Sequence, residues 1–593
     1  NRISHIGDRA KAFLEMGLVR LVKDAETGTG TFLPVVELDQ VIRLAGVKGS
    51  LDLGEYGVPA NMVGAMDITT KLAFAAGIEA LRDAGIPLVR TYKMSASGKR
   101  VPQAWQLPEA MRDTTGVIMG SAFPGYDQLV DKLKSGGDDG EGHFDRRFLF
   151  QILSMSHSQF AQFIGARGPN TAVNAACAST TQAVAMADDW IRLGRCERVI
   201  VIGADDVTSE DLLPWIGSGF MAAGAASTGD VVEEVALPFD ARRHGLVLGM
   251  GAVALVMETE SSCRARGVVP VAEHLGSTIV NSAFHGTRLN TDHIAENVKR
   301  LVGQVCMDNG ITPEELARNA FFMSHETYTP ARGGSAAAEI AALRAAFGDA
   351  STEITITNTK GYTGHAMGAG IEDTVAVKSL QYGIVPPVAN LQQPDQELGD
   401  LTLSRGERRD YRYAVRLAAG FGSQLAVSIW KQMARGDDRV RDPDVRAAWM
   451  HEVTGYKHVI EEIDSRTLRV REGDADRFLP IVPDVSPIKA LGLDVPDVVT
   501  EPGAPPRKNT PPSSARASAS PVKASSYDAV LADLVAVVAE KTGYETDELE
   551  IDFELEADLG IDTVKQAEIL SELTDKYGLE RDDDFRIADY PTI

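Results

Sequence analysis

A single thiol, Cys177, stands in "VNAACASTTQAVAMADDWIRLGRC" among Ala, Ser and Thr, where an apolar run turns into a helical pattern. Cysteine is a small hydrophobe and is often simply buried. The alternative is a nucleophile at a helix N-terminus, where backbone N–H groups and the positive helix end favour thiolate and lower the pKa. The small neighbours leave room for an acyl chain. Two histidines bear on the choice. "FFMSHETYTPARGG" carries His325 after a buried-strand pattern, with Thr327 and Thr329 on the following loop. "NTKGYTGHAMGAG" carries His365, preceded by Lys360 and surrounded by Gly and Thr. A fourth loop, "LAAGFGSQLAV", sets Phe421 between two glycines, so its backbone N–H can approach a ligand closely. Either histidine alone reads as a satisfied core residue. Cys, two His and Lys together, on loops after strands, are placed like catalytic groups on a rigid scaffold.

The elements that must hold these loops are legible as an alternation. From about 35 to 433, short β-branched runs alternate with helical patterns, as in layered α/β proteins. Strand candidates are "TGVIMGSA", "RVIVIGAD", "AVALVMET", "EITITNTK" and "AVSIWKQ"; helix candidates are 67–84, 178–193 and 335–347. Residues 1–34 read as an upstream segment with a short helical pattern, "DRAKAFLEMGLVRLVKDA", and then a Gly/Thr turn. Residues 434–496 are charged and mixed, with "KHVIEEIDSRTLRVRE" as a small strand pair. Residues 497–526 are rich in Pro, Ser and Ala and carry too little apolar bulk to fold, so they read as a tether. Residues 527–593 read as a helical unit. Its first helix, 527–543, has Val530, Leu534 and Val537 on one stripe; its second, 563–577, has Val564, Ala567, Leu570 and Leu573.

Composition narrows the function. The 593 residues are 44% hydrophobic and 24% charged, with a net charge of -25. Nothing basic is available to neutralise phosphates, which argues against a nucleic-acid binder. The acidity suits docking to basic patches on partners. The four cysteines, Cys177, Cys196, Cys263 and Cys306, form no disulfide framework and no C-x-x-C pair, and a reducing cytoplasm is expected. No run approaches the ~18 apolar residues of a membrane span, and no signal peptide is read. The start at Asn1 and the ending "RIADYPTI" are what a piece of a longer polypeptide is expected to show.

The motifs resemble those of the β-ketoacyl synthases, over about residues 35–433. "NAACAST" resembles the family's nucleophile motif, "HETYT" its H-G-T-G-T loop, and "KGYTGH" its K-S-N-I-G-H loop. "PFDARRHGLVLGMGAVALVME" and "GFGSQ" resemble two further family segments, in family order. The resemblance implies a thiolase fold of two stacked α/β halves, a homodimer, and decarboxylative condensation with a carrier-bound malonyl unit. It implies Cys177 as acyl acceptor, and His325 and His365 as donors to the thioester oxygen. Lys360 would orient His365, and the backbone N–H groups of Cys177 and Phe421 would form the oxyanion site. Thr327 and Thr329 would bind the pantetheine arm; plain loop packing is the other reading of these threonines. Two departures stand out: Met367 sits where a glutamate is usual after the second histidine, and the acidic residue after the first, Glu339, is displaced.

"DFELEADLGIDTVKQAEILSEL" resembles the region of an acyl carrier domain that bears 4'-phosphopantetheine. The family's serine is Thr563 here, after Asp562, and a β-branched hydroxyl is bulkier and stiffer. The other reading has Thr563 only beginning the helix. Glu568, Glu572 and Asp575 form an acidic face that suits docking or simple solvation. Together these imply a module of a type I fatty acid or polyketide megasynthase, with further domains as partners. The rival readings are a domain that transfers or decarboxylates without forming a C–C bond, and a non-catalytic scaffold.

Overall fold

The computed structural model describes residues 2–23, 30–94, 100–135, 155–329, 334–473, 527–542 and 563–577, with single positions between the last two stretches. They fall into two compact units, one of residues 1–89 and 105–473, the other of residues 90–104 and 474–593.

In the large unit two sheets repeat one arrangement. Strands β1 (Thr115–Gly120), β2 (Asn170–Val173), β3 (Arg198–Asp206) and β4 (Met250–Glu258) lie in the order β4-β3-β1-β2. β1 runs parallel to both neighbours and β4 antiparallel to β3. The second sheet holds β5 (Ala272–Asn281), β6 (Ala320–Met323), β7 (Thr355–Thr357), β8 (Thr402–Leu403), β9 (Tyr413–Gly420) and β10 (Gln424–Gln432). Its order is β5-β10-β9-β6-β7-β8. Here β6 is parallel to both neighbours and β10 antiparallel to β9. Thus β4-β3-β1-β2 and β10-β9-β6-β7 match strand for strand. These are the two α/β halves of the thiolase fold.

The strands that cross the core read as unbroken apolar runs because both faces are covered. Every residue of β3, "RVIVIGADD", is buried. Three helices fall where the periodicity puts them, α1 (Ile68–Asp83), α2 (Ser179–Arg192) and α4 (Ser335–Phe347), and α3 (Leu212–Ala222) and α5 (Ile371–Tyr382) are further helices that the sequence reading did not name. The Asp67 side chain caps α1 by accepting from the Thr70 N–H at 2.8 Å. α2 follows β2 and α5 follows β7, the equivalent places in the two halves. The Thr181 hydroxyl on α2 donates to the Asp373 carboxylate on α5 at 2.9 Å, which ties the two helix starts together.

Two segments differ from the sequence reading. The helical pattern at 8–25 is broken: an α-helix covers only Lys11–Glu15, Gly17 adopts φ +62, and Val19–Lys23 is a strand paired with Gly30–Pro34. The β-branched, apolar "VRLV" prefers a strand once Gly17 has turned the chain. Residues 1–34 are therefore no mere linker. Arg2–His5 pairs with Leu44–Val47, and Ile6 and Phe13 share a core with Ile42 and Leu213. The segment after 433 adds a helix, Pro443–Thr454, before the expected strand pair Val459–Asp464 and Thr467–Glu472. Trp449 and Val470 pack in the cluster that holds Phe74 and Ile78 of α1.

In the small unit, α6 (Tyr527–Thr542) and α7 (Thr563–Tyr577) are the helices expected. Val537 and Val538 cluster with Phe553, Leu559, Ile561, Ile569 and Leu573. Val530, placed on the same stripe from sequence, is exposed in the first turn of α6, while Val537, two turns on along that stripe, is buried. Thr563 is the first residue of α7. Its side chain, those of Val564, Ala567, Glu568 and Asp575, and residues 497–526 and Asp562 lie outside the described residues. Among the described residues, no helix is long and apolar enough to cross a membrane.

Candidate active site

Cys177 sits on a tight turn between β2 and α2. Ala176, just before it, is held at φ +50, a region that residues with a Cβ rarely occupy. Two side chains hold that turn. The Ser179 hydroxyl donates to the Ala176 carbonyl at 2.6 Å and accepts from the Ala175 N–H at 3.0 Å. Asn174 accepts from the Ala176 N–H at 3.1 Å and donates to the Ala122 carbonyl at 3.0 Å. The end of β9 presses on the same turn. A Cβ on Gly420 would lie 2.5 Å from the Ala175 carbonyl oxygen and 3.1 Å from the Cys177 nitrogen, so only glycine fits. Phe421 follows; its ring is 45% exposed and stacks on Phe220 of α3 at 5.8 Å.

His365 lies on the loop between β7 and α5. Its N–H donates to the Val247 carbonyl at 2.8 Å, and its carbonyl accepts from the Gly249 N–H at 2.9 Å. These bonds point Nε2 at the thiol: Nε2 is 3.0 Å from Cys177 Sγ. His325 follows β6, and its ring lies edge-on to His365, with centroids 5.6 Å apart. The Glu339 carboxyl accepts from the His325 N–H and from the Ser324 hydroxyl, both at 2.6 Å. The displaced acid of the sequence thus anchors the His325 loop. His325 Nδ1 is buried and has no hydrogen-bond partner among the described residues. Four expected residues therefore meet in one place: Cys177, His325, His365 and Lys360. Lys360 is buried and pairs with Glu372 at 3.1 Å.

Burial decides the charge state of the site. It pushes the Cys177 thiol up to about 12, with the Lys360 cation pulling the other way. Cys177 is half-buried, and the push is opposite to the lowering expected from the helix end, because desolvation of a thiolate outweighs the pull of Lys360 and the backbone N–H. Burial, reinforced by Lys360, holds His365 at about 3. His325 lies well below its ordinary value through burial, Lys360, His365 and Arg416. Thiol and imidazoles are all neutral at pH 7, so Cys177 Sγ and His365 Nε2 share one hydrogen bond whose direction follows the His365 tautomer. Burial alone would raise Glu372, but Lys360 and Arg416 hold it at about 2. Burial raises Glu339 to about 8.

Several residues here carry no sequence signal of their own. Glu372 and Asp373 open α5, and Arg416 lies in β9. Asp205, next to last in β3, accepts from the Ser121 hydroxyl and the N–H groups of Ala122, Phe123 and Gly368, at 2.7–2.9 Å. It joins the loop after β1 to the His365 loop. The threonines are less central. Thr327 leans on Ser335 through its N–H at 3.2 Å. Thr329 is half-buried, and residues 330–333 after it lie outside the described residues. Between the threonines, Tyr328 is buried at φ +44 and donates its hydroxyl proton to the Lys360 carbonyl at 3.2 Å.

Comparison with known proteins follows the same division into halves. The family "Beta-ketoacyl synthase, N-terminal domain" matches residues 43–262, and "Beta-ketoacyl synthase, C-terminal domain" matches residues 271–392. The chain is 28% identical over 395 residues to 3-oxoacyl-(acyl-carrier-protein) synthase 2 of Staphylococcus aureus (strain COL), covering 66% of this chain and 88% of that one. It is 29% identical over 398 residues to the protein of the same name from Vibrio harveyi, with the same coverage. Among solved structures, the ishigamide ketosynthase/chain length factor aligns with a TM-score of 0.54 at 22% identity, over 73% of this chain and 99% of that one. The two family matches meet near residue 270, between the sheet of β1–β4 and that of β5–β10, and together they take in Cys177, His325, Lys360 and His365. On that match the chain belongs to the β-ketoacyl synthase family.

Proposed function

We propose that the large unit extends an acyl chain by decarboxylative Claisen condensation. The observation that carries this reading is the contact of Cys177 Sγ with His365 Nε2, with His325 facing the same point. Cys177 attacks the carbonyl of an incoming acyl thioester. As the S–C bond forms, His365 takes the thiol proton and passes it to the departing carrier thiol. A malonyl thioester then loses CO2 and becomes an enolate. His325 and His365 stabilise its oxygen as neutral N–H donors, His365 now in the tautomer that carries the proton on Nε2. The enolate carbon attacks the acyl carbonyl, the thiolate of Cys177 leaves, and a proton restores the thiol. The backbone N–H groups of Cys177 and Phe421 hold the oxyanion at both acyl-transfer steps; such donors contribute roughly 3 kcal/mol each in other enzymes. Lys360 acts through its charge and through Glu372. Thr327 and Thr329 line the path of the pantetheine arm.

The small unit is read as an acyl carrier domain at 527–593, following a tether. The first residue of α7 bears a hydroxyl, Thr563, which suits attachment of 4'-phosphopantetheine. That group supplies the thiol on which acyl and malonyl units ride. The whole is a module of a type I fatty acid or polyketide synthase, acting as a homodimer in the cytoplasm beside other domains of its megasynthase.

The test is intact and peptide mass of the full chain after incubation with an acyl thioester, with and without malonyl-carrier. An adduct on Cys177 that disappears as a ketoacyl product forms supports condensation. An adduct that persists supports transfer alone. No adduct on folded protein overturns the reading in favour of a scaffold.

A further inference from the structure

Arg416 is among the largest side chains wholly buried in the molecule, and its guanidinium lies beneath the site rather than in it. It reaches two other segments at once, the start of α5 and the end of β6. Nε lies 3.3 Å from Asp373 Oδ2, and Asp373 is held by Thr181 on the Cys177 helix. Nη2 lies 3.4 Å from Glu372 Oε2, and Glu372 pairs with Lys360. Nη1 donates to the carbonyl of Ser324, the residue before His325, at 3.4 Å, and to the Leu417 carbonyl. The backbone of β9 then runs from Arg416 to Gly420, the glycine that presses on the Cys177 turn.

We infer that Arg416 is a positioning residue for the condensation site: its planar fork sets the spacing of the loops bearing Cys177, His325 and His365, and its charge balances the buried carboxylates Glu372 and Asp373. The inference rests on the proposed reaction for its rate readout only. Planar, fixed donors can satisfy two carboxylates and a carbonyl together, which a single ammonium cannot. The charge argument is a count of buried neighbours. Two cations, Lys360 and Arg416, face two carboxylates, Glu372 and Asp373. His365 faces Lys360, Glu372, Arg416 and the Cys177 thiol. His325 faces Lys360, His365, Arg416 and, through its N–H, Glu339. Glu326 on the His325 loop is met by Arg243 at 3.7 Å. Removing Arg416 leaves one uncompensated buried carboxylate; Asp373 or Glu372 can take a proton itself, and one that stays ionised draws a proton toward the two histidines.

The test uses the full chain with 13C-labelled histidine, following the ring resonances of His325 and His365 against pH, with malonyl-thioester decarboxylation measured alongside. Resonances are identified from H325Q and H365Q chains. In the wild type both rings are expected to stay neutral down to pH 5. In Arg416→Met at least one is expected to protonate with its midpoint raised by a pH unit or more, and the acidic limb of decarboxylation shifts with it. Arg416→Lys is expected to restore the titration while decarboxylation stays at least ~10-fold down, because an ammonium keeps the charge and loses the fork. A folded Arg416→Met whose histidines titrate as in the wild type overturns the charge role. An Arg416→Lys with wild-type rate overturns the positioning role, and this variant decides alone if Arg416→Met does not fold. A wild-type chain that neither acylates nor decarboxylates counts against the proposed reaction; the titration still decides the place of Arg416.

Discussion

Cys177 Sγ and His365 Nε2 stand 3.0 Å apart with both groups held neutral by burial. This is a thiol–imidazole contact and not a thiolate–imidazolium ion pair. The nucleophile is created only as the acyl carbon arrives. Alkylation of Cys177 by iodoacetamide, read by peptide mass, is therefore expected to keep rising from pH 6 to pH 9 without levelling. A plateau below pH 8 would mean that the helix end stabilises thiolate after all.

The histidines divide the work by distance. His365 touches the thiol and His325 does not. His365→Ala is expected to slow both acylation of Cys177 and decarboxylation. His325→Ala is expected to lower decarboxylation by roughly 10²–10³-fold, the usual cost of one oxyanion donor, while acylation survives. Single-turnover acylation and CO2 release, measured separately, check this; equal loss of both steps in His325→Ala would contradict it.

Cys177→Ala separates the halves of the reaction. With no nucleophile the acyl adduct vanishes. Decarboxylation of malonyl thioester continues at a measurable rate, because both histidines sit on other loops. Loss of decarboxylation in a folded Cys177→Ala chain would tie the thiol to that step as well.

Glu339 makes stability depend on pH. Its folded pKa, about 8, lies above the ordinary carboxyl value, so the folded state holds the proton more tightly. The stability it contributes is fully present below about pH 4.5 and is lost as pH rises through 8, at no more than about 1.4 kcal/mol per pH unit. Glu339→Gln keeps the shape without the titration. Its Tm is expected to fall less than that of the wild type between pH 6 and pH 9; parallel Tm curves would refute this.

Gly420 allows no side chain. A Cβ there meets backbone of the Cys177 turn, which cannot swing aside. Gly420→Ala is expected to cost about 1–3 kcal/mol in stability, as overpacking does. Displacing the thiol should slow acylation on the order of 10²-fold. Denaturant unfolding and the acylation rate measure the two effects. Wild-type values for both would show that the turn relaxes freely.

Much of this was legible in the residues, for a physical reason. Long apolar runs such as β3 and periodic helices such as α1 and α2 state their own conformation, and loops carrying Cys177, His325 and His365 follow directly from them. Burial is not a local property. The upward push on Cys177 comes from groups brought together across the chain, which the helix-end argument leaves out. Arg416, Glu372 and Asp373 drew no reading from the sequence, because only the packing of β9 against α5 makes them a buried set. Gly17 carried the signal that ends the first helix, but the alternation after it was too short to mark a strand.

The contact between Cys177 and His365 spans 188 residues of chain. It joins loops from the two sheets, so it cannot close while either half is unfolded. Such long-range closures are late and slow in folding. The reactive pair is thus also a clock: on refolding, the ordinary alkylation rate of an exposed cysteine should persist until the halves dock and then drop in one phase, together with the burial of Trp430, whose core holds residues of both halves.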